Sequence, residues 1–292
     1  MRPANIVTSV ADVLAGATIA GFFGSSGFGS PGFSPSQKIA TGLLLSLSTI
    51  GLYGGGVVFN DVFDAALDAV ERPERPIPSG LIKRREAAIL GLVLLVAGIL
   101  IALWVHPVSG LLAGLIATAA LLYDKWGKHH TFLGPLNMGL CRGLNLLLGI
   151  SVLPAAIAQD WHIACVPILY IASITMISRG EVHGGSRNLL YFAAALYTLV
   201  IGCILAVAVG KGAAPLTLLF LAPFAWMIFK PLFTAIREPV GRNIGKAVKA
   251  GVIALILMNA SWAAACDSLY LALIIVLLLP LSLWLARLFA VT

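Results

Sequence analysis

The sequence predicts an all-α protein, a polytopic transmembrane helical bundle of nine or ten spans. Three observations carry this expectation. The chain is 60% hydrophobic and only 11% charged, with a mean hydropathy of +0.99, more apolar matter than a water-soluble domain can cover with polar surface. Apolar stretches near the roughly 20 residues that cross a bilayer recur along the chain. They leave no segment for a sizeable soluble domain, so 1–292 reads as one membrane domain. Basic residues gather in alternate inter-span loops, the pattern that marks the cytoplasmic side.

Ten candidate spans follow in order: 4–23, 38–59, 86–105, 108–123, 133–154, 162–178, 188–209, 214–235, 244–265 and 267–289. The first carries Asn5, Thr8, Ser9 and Asp12 where a cleavable signal needs an unbroken apolar run, so it is expected to be a spanning helix. The segment 21–35, rich in Gly, Ser, Pro and Phe, reads as a flexible outer loop. Gly54, Gly55 and Gly56 close the second span and serve either helix packing or the approach of a ligand to the backbone. The fourth and sixth spans are short and the break at Cys266 and Asp267 is tight. A re-entrant or tilted member of the last pair reduces the count to nine.

With the N-terminus inside, the loops after the second, fourth, sixth and eighth spans hold Arg72, Arg75, Lys83, Arg84, Arg85, Lys125, Lys128, Arg179, Arg187, Lys230, Arg237, Arg242, Lys246 and Lys249. The opposite face keeps Lys38 and Lys211. The orientation that follows is multi-pass in a bacterial inner membrane, with the charged face in the cytoplasm. A net charge of +7 spread over short loops, without a recognition module, excludes nucleic acid as the partner. Cys141, Cys165, Cys203 and Cys266 stand singly in apolar runs and read as small core residues.

Acidic residues are still less evenly placed. Asp61, Asp64, Asp68, Glu71, Glu74 and Glu86 are half of the chain's 12 and surround one cytoplasmic loop. With Asn60, the three aspartates lie within one stripe of a helix. Each ionised carboxylate at membrane depth costs about 2.5–3.5 kcal/mol, so the stripe calls for a water-filled cavity, a divalent ion, or both. Mg²⁺ suits this ligand set, because it takes carboxylate oxygens and completes its shell with water and substrate phosphates. The structural alternative is a solvated acidic helix end paired with Arg72 and Arg75. Pro73, Pro76 and Pro78 then stop the helix, predicting an extended strap before Ser79 caps the third span. In that strap Arg75 either clamps a phosphate or pairs with an acid of its own loop.

Three more groups converge on the cytoplasmic side. The segment 123–130, YDKWGKHH, supplies Lys128 as a diphosphate contact or as a topology anchor. Arg142 lies well inside the fifth span and demands an anion, either a substrate phosphate or one of the aspartates, with Asn145 one turn further on the same face. The segment 178–187, SRGEVHGGSR, offers Glu181 as a metal ligand and Arg179, His183 and Arg187 as phosphate contacts, with Gly184 and Gly185 breaking the helix. A basic, glycine-rich loop without a ligand is the other reading.

These residues resemble the UbiA superfamily of membrane prenyltransferases. The segment 60–80, NDVFDAALDAVERPERPIPSG, is similar to that family's first motif, and Arg2, Pro3, Asn5 and the Tyr-x4-Lys pattern of Tyr123 and Lys128 extend the likeness over about the first 190 residues. The resemblance implies that Asn60, Asp61, Asp64 and Asp68 hold Mg²⁺ against an isoprenyl diphosphate. It also implies that Arg75, Tyr123, Lys128 and Arg142 line the pocket and that an acceptor, not identified by sequence, captures the prenyl group. The family's second Asp-x-x-x-Asp is represented by Ser178 and Glu181, with the spacing one residue shorter. The stretch SRGEVHGG is similar to the subgroup called EboC, which implies a secondary-metabolite acceptor. The competing expectation is a protein that binds or transports a prenylated membrane lipid without chemistry.

Overall fold

The computed structural model describes residues 3–23 and 32–288, except for the side chains of Pro3, His129, Val182 and His183. Every described regular element is helical, and each expected span has its helix or helix pair. The first five helices are α1 (Pro3–Ile19), α2 (Pro35–Glu71), α3 (Arg84–Val105), α4 (Pro107–Lys125) and α5 (Leu133–Ile150). The sixth span is longer than expected, because α6 (Pro154–Asp160) continues through a tight turn at Trp161–Ala164 into α7 (Cys165–Ser178). A single turn, α8 (Gly180–His183), precedes α9 (Arg187–Gly210), α10 (Ala214–Arg237) and α11 (Gly241–Ala265). The chain closes with α12 (Leu269–Val276) and α13 (Leu278–Leu288), one apolar run broken at Leu277. Eight described helical stretches are long and apolar enough to cross a membrane, with the shorter apolar Ala4–Ile19 beside them. The protein is a multi-pass membrane protein.

The helix that carries the acidic motif is α2. Ser34 starts it, its hydroxyl accepting from the Gln37 amide at 3.3 Å while its own amide donates to Gln37 Oε1 at 2.8 Å, a reciprocal cap of two donors. Its 37 residues extend about 55 Å at 1.5 Å per residue, well beyond a hydrocarbon core of about 30 Å. The apolar span and the acidic segment are therefore one continuous rod. The proline-rich segment after it is coiled rather than extended: the Ser79 amide donates to Arg75 O at 2.9 Å and the Ile82 amide to Pro76 O at 3.0 Å. Its prolines stop α2, but local turns still satisfy the backbone. Ser79 does not cap α3; that position belongs to Lys83, whose amide donates to Glu86 at 3.3 Å.

Glycines set how closely the helices approach. A Cβ on Gly16 of α1 would lie 2.2 Å from the Leu146 carbonyl oxygen, and one on Gly149 of α5 would lie 2.2 Å from that of Val13. At this crossing the two backbones touch. Gly55 meets α3 in the same manner, 2.9 Å from the Gly91 carbonyl oxygen, while a Cβ on Gly56 would make only an ordinary contact with Ala120 Cβ at 3.5 Å. Packing thus claims Gly55, and Gly56 belongs to a cavity wall. The centre of the molecule is α11, buried at every residue from Ile253 to Ala265.

Candidate active site

A cavity of about 430 Å³ lies between α2, α4, α5, α7, α8 and α11, with Asn5 of α1 also on its wall. At 3.6 residues per turn, Asn60, Asp64, Asp68 and Asp61 project at about 0°, 40°, 80° and 100° around α2. The neighbours divide this sector. Asn60 and Asp64 line the cavity. Asp68 is buried and accepts from Arg75 Nη1 at 2.7 Å, and Asp61 Oδ1 lies 3.7 Å from the same nitrogen. Neither of these aspartates, nor Arg75, is among the residues lining the cavity. Within this structure, Arg75 takes the intramolecular pairing that its sequence position left open.

Three other elements complete the polar end. Lys128, in the tight turn Gly127–His129 after α4, forms an ion pair and hydrogen bond with Asp64. Asp124, at the end of α4, is buried and accepts from Asn60 Nδ2 at 3.0 Å. Tyr123 and Glu181 stand on the same wall. Asp124 was not singled out by sequence reasoning; its signal was an acid next to Tyr123 at the end of the fourth span. Arg179 is set differently: its guanidinium donates to the His130 carbonyl at 2.6 Å, tying α8 to the turn that presents Lys128. It is not on the cavity wall, and the His183 side chain lies outside the described residues.

The glycine pair next to α8 explains the bend. Gly184 adopts φ +85, and a Cβ there would sit 2.8 Å from the Pro239 carbonyl oxygen, which accepts from the Gly185 amide at 3.1 Å. Only glycine meets both demands without strain.

Deeper in, Arg142 lines the cavity but its anionic partner is Asp12 of α1, at 2.8 Å. The pairing with a motif aspartate, one of the two partners its sequence position left open, is not made. Arg142 also donates to Thr8 Oγ1 at 2.7 Å and to the Asn5 carbonyl at 3.4 Å. Asp12 further accepts from Asn145 at 3.0 Å and from Asn259 at 2.7 Å. Asn145 is fully buried, bonded also to Thr49 at 2.7 Å and to the Ser9 carbonyl at 2.8 Å, and is off the cavity wall. Its place is in the support of Arg142.

Asn60, Asp64, Asp124 and Glu181 form an oxygen donor set of the kind that Mg²⁺ accepts. Among the described residues, no three His, Cys, Asp or Glu side chains converge tightly enough to hold an ion unaided. The set therefore fits an ion that takes part of its shell from water and a bound phosphate. Beyond it the walls are apolar: Leu52, Ile116, Ala120, Ile171, Ile174 and Val252.

The model of the UbiA prenyltransferase family matches residues 14–239. The chain belongs to this family. Its match extends past the first 190 residues to the end of α10 and leaves out α11 to α13. Among curated relatives, a digeranylgeranylglyceryl phosphate synthase of Methanosarcina barkeri is 35% identical over 41% of this chain and 42% of its own length. One of Ignicoccus hospitalis is 31% identical over 63% of this chain and 56% of its own length. The chain thus spans about half the length of the curated relatives it matches. Solved structures share the fold. A UbiA homolog from Aeropyrum pernix superimposes with a TM-score of 0.70 at 18% identity, covering 89% of this chain and 98% of the other. A homolog from Archaeoglobus fulgidus bound to DMAPP and Mg²⁺ gives 0.62 at 15%, covering 91% and 98%. The finer likeness of SRGEVHGG to the EboC subgroup has no counterpart in the names of these relatives.

Proposed function

We propose that this UbiA-family protein is a prenyltransferase that moves an isoprenyl group from its diphosphate to a glyceryl phosphate lipid, at the cytoplasmic side of the cell membrane. One observation carries the reading: the motif residues Asn60 and Asp64 share a single cavity with Asp124, Lys128 and Glu181, which come from three other elements, and that cavity continues into apolar walls. Polar head and apolar tail of a prenyl diphosphate match its two ends. The names of the relatives support the acceptor class and replace the secondary-metabolite acceptor implied by the EboC likeness. The relatives named come from archaea, so they lend no support to the bacterial inner membrane; the cytoplasmic side rests on the loop charges.

Asn60, Asp64, Asp124 and Glu181 would hold Mg²⁺, which when bound offsets charge developing on the diphosphate oxygens. Lys128 exchanges its contact with Asp64 for one with a diphosphate oxygen and neutralises charge there. Tyr123 stands beside it as a hydrogen-bond donor. The allylic C–O bond breaks with its electron pair leaving on pyrophosphate. The acceptor hydroxyl oxygen attacks the allylic carbon and releases its proton. Apolar walls exclude water, which would otherwise compete for that carbon. Arg75 acts from outside the cavity by holding Asp61 and Asp68.

The test uses full-length protein in lipid nanodiscs with Mg²⁺, geranylgeranyl diphosphate and a monogeranylgeranyl glyceryl phosphate. Wild type is expected to release pyrophosphate and form the doubly prenylated product, and Asp64→Ala to fall by at least about 100-fold. Absence of release from wild type would overturn the reading. Stoichiometric lipid binding without release would then favour a carrier, and cation flux into liposomes a transporter.

A further inference from the structure

Tyr53 lines the same cavity from α2, yet its hydroxyl oxygen is buried with no hydrogen-bond partner among the described residues. A buried hydroxyl without a partner costs free energy, so a native protein that keeps one has a use for it. Tyr53 is seven residues before Asn60, nearly the same face of α2 and about 10 Å deeper along the axis. Gly56 between them lines the wall without adding a side chain. The polar end of the cavity at Asn60 and Asp64 is therefore matched by a second polar point on the same helix.

That second point is also cationic. The Arg142 guanidinium lies over the Tyr53 ring, 4.7 Å from its centroid. An arginine has five N–H donors. Nη1 gives one to Asp12, and Nη2 gives its two to Thr8 and the Asn5 carbonyl. The Nε–H and one Nη1 hydrogen are left without a described partner. Asp12 in turn accepts from Arg142, Asn145 and Asn259, so the guanidinium is held before any ligand arrives. A preset fork does not have to be ordered on binding. Asn259 belongs to α11, outside the family match.

We infer that the Tyr53 hydroxyl and the adjoining Arg142 guanidinium form the subsite for the anionic group of the acceptor, separate from the diphosphate end. The inference rests on the prenyl-transfer reading and adds the acceptor-selecting residues to it. A hydroxyl donor beside a guanidinium suits a phosphate monoester better than a neutral glycerol. Asp12 and Asn259 are positioning residues, acting through Arg142.

Tyr53→Phe removes the hydroxyl and little else. In nanodiscs holding the full chain, affinity is measured for monogeranylgeranyl glyceryl phosphate and for the neutral monogeranylgeranyl glycerol, with no turnover required. The expected result is a loss of about tenfold or more for the phosphate probe, a smaller change for the neutral one, an unchanged Kd for the prenyl diphosphate, and a thermal midpoint not below that of wild type. Equal affinity of both proteins for the phosphate probe overturns the subsite, as does an equal loss for both probes. Failure of the transfer reading is a separate result: wild type binds the phosphate probe in a Tyr53-dependent manner but forms no product.

Discussion

Arg75 and Arg142 are both arginines paired with carboxylates of this chain, and they illustrate two uses of a fixed charge. Arg75 gathers Asp61 and Asp68 on the outer side of α2, which leaves Asp64 as the motif aspartate at the cavity. Replacing Arg75 with leucine leaves the buried Asp68 without its cation, a loss of about 1–3 kcal/mol. A lower thermal midpoint and faster proteolysis in the 72–82 segment are the readouts. Arg142 and Asp12 are more deeply enclosed, with side chains 5% and 1% exposed. Breaking such a pair from one side costs about 3–5 kcal/mol, whereas replacing both partners with apolar residues costs far less than the sum. Thermal unfolding of Asp12→Leu, Arg142→Met and the double variant checks this. A double variant as unstable as the two single losses added together would mean that the pair is not coupled.

Among the elements, α1 and α5 are held at backbone contact by Gly16 and Gly149, and the residues that fix Arg142 sit on these two helices. Alanine at Gly16 forces the helices apart and is expected to cost about 1–3 kcal/mol and to lower turnover as Arg142 moves with α5. Alanine at Gly114 in α4, where an added Cβ meets nothing within 4 Å, is expected to be neutral or slightly stabilising. Differential scanning fluorimetry of the two variants decides whether contact or helix propensity governs. Similar logic explains α2. Its periodic polar residues were legible as a helical stripe, but its division between a cavity and Arg75 depends on where the 72–82 segment folds back, which prolines alone do not dictate. The sequence suggested an extended strap; local hydrogen bonds make it a set of turns.

For the whole molecule, the loop charges predict that the cavity mouth faces the cytoplasm. Single cysteines at Ser79 and at Gly212, in a variant lacking the four native cysteines, test this with a membrane-impermeant maleimide on intact cells. Gly212 is expected to label and Ser79 to label only after lysis; the reverse pattern would invert the topology. Hydropathy and the 60–80 motif determine by themselves the helical class, the order of spans and the family, because each is a property of local composition and spacing. Only the packed structure decides which of the motif's carboxylates meet the cavity, that Asp124 joins them, and that Arg142 pairs with Asp12. Those are contacts between residues 64 to 130 positions apart, set by how helices cross and rotate, and no local pattern of polarity encodes a rotation angle.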